Sequence, residues 1–159
     1  MARGLILATA SILVVVLVLI AWRIDVRFGF GLPGGLRLPG LAAMAFGLAM
    51  IAWAEATLLR TARSTGGFGD PPMLLVARGP YRHVRNPIYL GASALLLGLS
   101  LWRGSATLLA AALIFPPVMH LFLVHIEEPA TRRRLGAVYD DYLKRVPRWL
   151  PHPGRKDEG

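Results

Sequence analysis

Residues 104–126 read GSATLLAAALIFPPVMHLFLVHI, a stretch with no Asp, Glu, Lys or Arg. The hydrocarbon core of a bilayer takes about twenty apolar residues of α-helix, so this stretch is long enough to cross a membrane. Three more apolar runs lie upstream of it. Pro87 to Trp102 is short, but usable if its ends sit at the interfaces. Leu38 to Leu59 is interrupted only by Glu55. Gly4 to Trp22 has one basic residue ahead of it and no small-x-small site after it. It also exceeds the usual apolar region of a signal peptide, so it reads as a span. The expectation is an all-α polytopic membrane protein of one domain, with four transmembrane helices at about 4–22, 38–59, 87–102 and 104–126. Composition agrees: of 159 residues 55% are hydrophobic and only 17% charged, with a mean hydropathy of +0.52. A soluble domain carries more surface charge than that.

The net charge is +9. In a soluble protein such an excess suggests nucleic acid, but here its distribution follows the positive-inside rule. Arg3 precedes the first run, and Arg23, Arg27 and Arg37 separate the first from the second. Arg60, Arg63, Arg78, Arg82 and Arg85 fall between the second and third, and Arg103 alone between the third and fourth. The remaining eight follow the fourth run. With the N-terminus inside, 14 of the 18 Lys and Arg are cytoplasmic and 4 are not. Both termini are therefore expected in the cytoplasm, the chain spanning a bacterial inner (plasma) membrane, with membrane lipids and no nucleic acid as partners. Cysteine is absent, which excludes disulfides and thiolate ligation; no metal site is expected.

The connections differ in kind. Arg23 to Arg37 holds Gly29, Gly31, Pro33, Gly34 and Gly35 and reads as an external loop. Residues 60–86 form an inner loop ending in the dense run RGPYRHVRNPIYLG. Only Arg103 and Gly104 join the third and fourth runs, so these must be an antiparallel hairpin. After Ile126 the tail, 127–159, places Leu135, Val138, Tyr139, Tyr142, Leu143 and Val146 at helical intervals. That is one stripe of a cytoplasmic amphipathic helix, ended by Pro147.

Two polar clusters should meet at the inner end of the hairpin. One is Tyr81 to Tyr89, where Asn86 suits a helix cap and Pro87 the first helical position. A capped helix with snorkelling arginines would explain it; so would a carboxylate- or phosphate-binding helix start. The other is Glu127 with Glu128. These could be solvated or paired with Arg132 at helical spacing, or one could hold a cationic ligand group. Together the clusters suit a zwitterion such as an amino acid moiety.

The same residues carry a resemblance. RGPYRHVRNPIYLG is similar to the signature G-x-Y-x-x-x-R-H-P-x-Y-x-G of the isoprenylcysteine carboxyl methyltransferase and phospholipid methyltransferase family. Gly79, Tyr81, Arg85, Pro87, Tyr89 and Gly91 match in register. The second family motif matches Glu127, Glu128, Gly136, Tyr139, Tyr142, Pro147 and Arg148. Asn86 stands where the family has His, and Leu135 where it has Phe. Leu123 occupies the place of an Arg that clamps the substrate carboxylate in eukaryotic prenylcysteine enzymes.

The resemblance implies an S-adenosylmethionine-dependent membrane methyltransferase acting on a lipophilic or lipid acceptor. It implies cofactor contacts from Met73, Leu74, Leu75, Val76, Tyr81, Asn86, Pro87, Ile88, Tyr89 and Glu127. Glu127 and Arg85 are the candidate catalytic residues, with His120, like His125, a candidate base where the acceptor must lose a proton. Two other readings fit a small helical membrane protein: a sterol-reductase-like NADPH enzyme and a four-helix transporter. The first needs a longer chain. The second would place an acidic residue within Gly4 to Trp22, where there is none.

Overall fold

The computed structural model describes residues 16, 18–29, 31–32, 36–64 and 75–150. These residues form helices and turns, with no strand among them. Helix α1 is described over 18–28, so most of the first expected span lies outside the described residues. Helix α2 covers Arg37–Ser64, α3 Pro87–Arg103 and α4 Ala106–Phe122. Among the described residues, two helices are long and apolar enough to cross a membrane by length and composition. They are Arg37–Thr61, and the continuous rod Ala106–Leu135 that begins with α4. At 17 residues, α3 is shorter than either.

The outward faces of these helices are apolar. Leu41, Phe46, Leu48 and Trp53 on α2 are exposed, as are Leu113, Ile114, Val118, Leu121 and Phe122 on α4. Patches of that size are a liability in water and suit hydrocarbon. The inward faces are small. Gly40 and Gly47 on α2 meet Gly98 and Gly91 on α3 in antiparallel order. A Cβ on Gly47 would lie 2.6 Å from the Gly91 carbonyl oxygen, and one on Gly98 2.6 Å from the Gly40 carbonyl oxygen. The seven-residue spacing keeps each pair on one helix face, where small residues let backbones touch. Ala54, one further heptad along α2, is fully buried.

The hairpin between α3 and α4 is as tight as the sequence requires. Gly104 takes a left-handed conformation (φ 68°) and caps α3, and the Ser105 hydroxyl accepts from the Leu108 N–H to cap α4. Asp25 of α1 completes this turn. Its carboxylate accepts from the hydroxyls of Ser105 and Thr107 and from the Thr107 N–H. Burial acts to raise the Asp25 pKa, but these hydrogen bonds outweigh it and hold it below the ordinary value. The first connection, expected only as an external loop, thus supplies a long-range cap for α4.

The chain beyond α4 departs from expectation twice. The fourth helix does not stop at Ile126. It widens into a π turn at Leu123–Glu127 and continues as α5, Glu128–Leu135. The amphipathic stripe is not one helix either: Gly136 (φ 57°, ψ −138°) breaks it, and α6 runs Ala137–Arg145 on a new axis. The break removes Val138, 60% exposed, from the stripe, while Tyr139, Tyr142 and Val146 form a buried cluster with Leu75, Leu135 and Leu143. A periodicity count assumes one axis, and a glycine at positive φ changes it.

Candidate functional site

The inner end of the α3–α4 hairpin is built from three pieces of chain. The first is the turn before α3. Gly79 opens a short 3-10 turn, Gly79–Arg82, with φ 56°, and a Cβ there would lie 2.6 Å from Thr57 Oγ1. Glycine is required twice over: for the backbone angle and for the close approach to α2. Pro80 and Val84 are buried beneath the turn, and Pro87 starts α3. At the far side of the motif Gly91 has a packing duty, since a Cβ would meet Gly47 and Ile51 at 2.8 Å.

The second piece is the π turn with the first residue of α5. Neighbouring helical residues point about 100° apart, and Glu127 and Glu128 take different partners. Glu127 accepts from the Tyr89 hydroxyl at 2.9 Å. Glu128 accepts from Arg85 Nη1 at 3.0 Å and from Arg148 through Nε at 2.9 Å and Nη2 at 2.8 Å. The last two make a bidentate fork. Arg85 and Glu128 are each only 14% exposed, and Arg148 23%. The Glu128 hydrogen bond pushes the Arg148 pKa up, so the guanidinium stays charged. The sequence alternative in which Arg132 pairs with these glutamates is not what forms: Arg132 bonds Asp140 instead, at 2.6 Å on the surface.

The third piece is the tail, which closes over the other two. The Arg85 N–H donates to the Pro147 carbonyl at 2.9 Å, and the Tyr142 hydroxyl to the Tyr81 carbonyl at 2.7 Å. The Trp149 indole N–H donates to His120 Nδ1 at 3.2 Å. Burial foremost, then the charge of Glu128, raises the Tyr139 pKa; burial with neighbouring Tyr139 raises that of Tyr142. Both phenols are therefore neutral at physiological pH.

Of the sequence candidates, Arg85, Tyr89 and Glu127 come together in this cluster, with Asn86 and Pro87 buried beside it. Leu75 joins the tail cluster, Val76 follows it, Tyr81 meets Tyr142 through its backbone, and Ile88 is half-buried on α3. Met73 and Leu74 lie outside the described residues. Asn86 does not cap α3 with its side chain. Its Nδ2, like Arg85 Nε, is buried without a hydrogen-bond partner, a costly state that donors facing a polar ligand would escape. His120 spends its Nδ1 lone pair on Trp149, and His125 Nδ1 lies 2.9 Å from the Leu121 carbonyl on an exposed face. Glu55 is half-buried on α2.

Sequence reasoning missed the pairing of Glu128 with two distant arginines. The available signal was the Pro147–Arg148 pair at the end of the second motif. Two open cavities lie away from this cluster. One, of about 510 Å³, is lined by tail residues Arg132, Asp140, Leu143 and Lys144. The other, of about 330 Å³, sits at the opposite end of the hairpin beside Trp22, Asp25 and Arg103.

Comparison with known proteins agrees with what the motifs imply. Residues 36–138, more than half of the chain, match the phospholipid methyltransferase family. No curated protein and no solved structure matches the chain. The matched region contains the glycine crossing of α2 and α3, the turn before α3, the hairpin and both glutamates. On these grounds the chain belongs to the phospholipid methyltransferase family, a family of membrane methyltransferases.

Proposed function

We propose that this protein transfers a methyl group from S-adenosylmethionine to a lipophilic or amphiphilic acceptor at the membrane surface. The observation that carries the reading is the charge arrangement around the two glutamates. Arg85 and Arg148, two guanidinium groups, share the one carboxylate of Glu128, while the carboxylate of Glu127 accepts, among the described residues, only from the Tyr89 hydroxyl. An anion subsite thus adjoins a cation subsite. The unpartnered Asn86 Nδ2 and Arg85 Nε are donors suited to a carboxylate. These residues fit the amino acid end of S-adenosylmethionine: Asn86 and Arg85 toward its carboxylate, Glu127 toward its ammonium.

The bound cofactor supplies an electrophilic methyl group on a sulfonium. The chain's own tasks are alignment and exclusion of water. Tyr89 orients Glu127 through its hydroxyl. The Tyr139–Tyr142–Val146 cluster, packed on Leu75, walls the site off from solvent. His120 holds the tail through Trp149, so we assign it a structural duty before a proton-transfer one.

The acceptor is argued from surroundings. The site adjoins helices with apolar outer faces, which favours a ligand arriving through the bilayer, such as an amino-lipid, an isoprenoid acid or a hydrophobic thiol. Leu123, fully buried, stands where a carboxylate clamp would be needed for prenylcysteine. The distribution of basic residues, which favours four spans with both termini cytoplasmic, supports a site on the inner face.

Calorimetry in detergent with S-adenosylhomocysteine tests the cofactor, and Glu127→Ala should lose most of the binding while remaining folded. Radiolabelled S-adenosylmethionine with membrane lipid extract tests the acceptor, and label should enter the organic phase. Tight NADPH binding with no response to either adenosyl compound would favour a reductase. Label confined to water-soluble products would overturn the lipophilic acceptor alone.

A further inference from the structure

The two adjacent glutamates are not equivalent. Glu127 meets one neutral hydroxyl, that of Tyr89, which lies three residues along the chain from Asn86 and its unpartnered Nδ2. Glu128 is saturated: both its carboxylate oxygens are bonded to guanidinium groups, one from the turn before α3 and one from the tail. Arg85 and Arg148 are both cations and would repel each other without it. The same two segments are joined again by the Arg85 N–H to the Pro147 carbonyl. Arg85 therefore has its Nη1 committed to Glu128 and its backbone N–H to the tail, and its Nε remains buried without a partner.

We propose that Glu128 is a positioning residue: it locks Arg85 against Arg148, so that docking of the tail sets the orientation in which Arg85 Nε and Asn86 Nδ2 face the cofactor. This rests on the cofactor reading above and deepens it. Glu127 contacts the ligand; Glu128 contacts only protein. Loss of the Glu128 charge would leave two arginines facing each other and let the tail move away. The donors would then no longer converge, although Glu127 and Tyr89 are untouched.

The test uses the full-length protein in detergent with S-adenosylhomocysteine as the probe. Glu128→Gln should raise its Kd about tenfold, equivalent to ~1.4 kcal/mol, as expected at the low end for a hydrogen bond to a charged group. Amide hydrogen exchange across 139–149 should rise in the same variant. Arg148→Lys, which keeps the charge and loses the fork, should act in the same direction. Combined with Glu128→Gln it should add little, since both break one link. Faster tail exchange with unchanged Kd would overturn the proposal, because the network would then be structural only. Equal exchange and equal Kd in variant and wild type would overturn it too. A wild-type protein that binds no S-adenosylhomocysteine would sink the cofactor reading, and this proposal with it. If Glu128→Gln does not fold, Arg148→Lys alone carries the measurement, with the same two outcomes.

Discussion

Tyr89 donates its hydroxyl to Glu127 across 2.9 Å, joining the first turn of α3 to the π turn that follows α4. The two residues are 38 positions apart in sequence. Only the antiparallel hairpin, closed by Gly104 and Ser105, returns the second to the level of the first. This bond restrains a carboxylate that otherwise has the freedom of a long side chain.

Tyr89→Phe should therefore weaken S-adenosylhomocysteine binding by a modest factor, about fivefold, for ~1 kcal/mol of lost hydrogen bonding. The loss should be far smaller than for Glu127→Ala. Titration of both variants by calorimetry would check the order. A Tyr89→Phe defect as large as the Glu127→Ala one would mean that the phenol, not the carboxylate, is the principal contact.

The crossing of α2 and α3 has no room for side chains. Gly47→Ala places a methyl group against the Gly91 carbonyl, which is backbone and cannot turn aside. It should destabilise the protein by about 1–3 kcal/mol, the usual range for overpacking. Gly91→Ala should do the same, and its place in the motif would then be explained by packing alone. Thermal unfolding in detergent measures both. Gly136→Ala, where a Cβ would meet nothing within 4 Å, should cost only the strain of its positive φ.

The tail contact should be insensitive to pH near neutrality and fail in alkali. Burial raises the Tyr142 pKa above the ordinary phenol value, about 10, with Tyr139 adding to the rise and Arg85 opposing it. A raised folded pKa means that the stabilisation is complete below the unfolded value and is lost as pH climbs through the folded one. Acrylamide quenching of Trp149, with the other three tryptophans replaced by Phe, should stay flat to about pH 10 and rise above it. Tyr142→Phe should already increase quenching at neutral pH, having lost the bond to the Tyr81 carbonyl, and should show a smaller alkaline limb. A limb of unchanged size would assign it to Tyr139.

Topology is checked by reporter fusions after Arg63 and after Lys156. The positive-inside count predicts a cytoplasmic signal from both, with the first run crossing the membrane. A periplasmic signal from either fusion would remove the inward-facing site and would require a different number of crossings.

The sequence by itself determined what depends on local composition. Apolar length marked the helices, and two residues between Trp102 and Ser105 made the hairpin unavoidable. The order of Tyr81, Arg85, Pro87, Tyr89 and the glutamate pair carried the family. Tertiary structure alone decided the partners. Asp25 shows no reason in its own neighbourhood to cap a helix eighty residues away. Arg132 looks, by spacing, the better partner for Glu128, yet the turn at Gly136 gives it Asp140 and hands Glu128 to Arg85 and Arg148. Hydrophobic periodicity is a property of one axis, whereas hydrogen bonds and ion pairs are chosen by where several axes converge. The π turn and the break at Gly136 set that convergence.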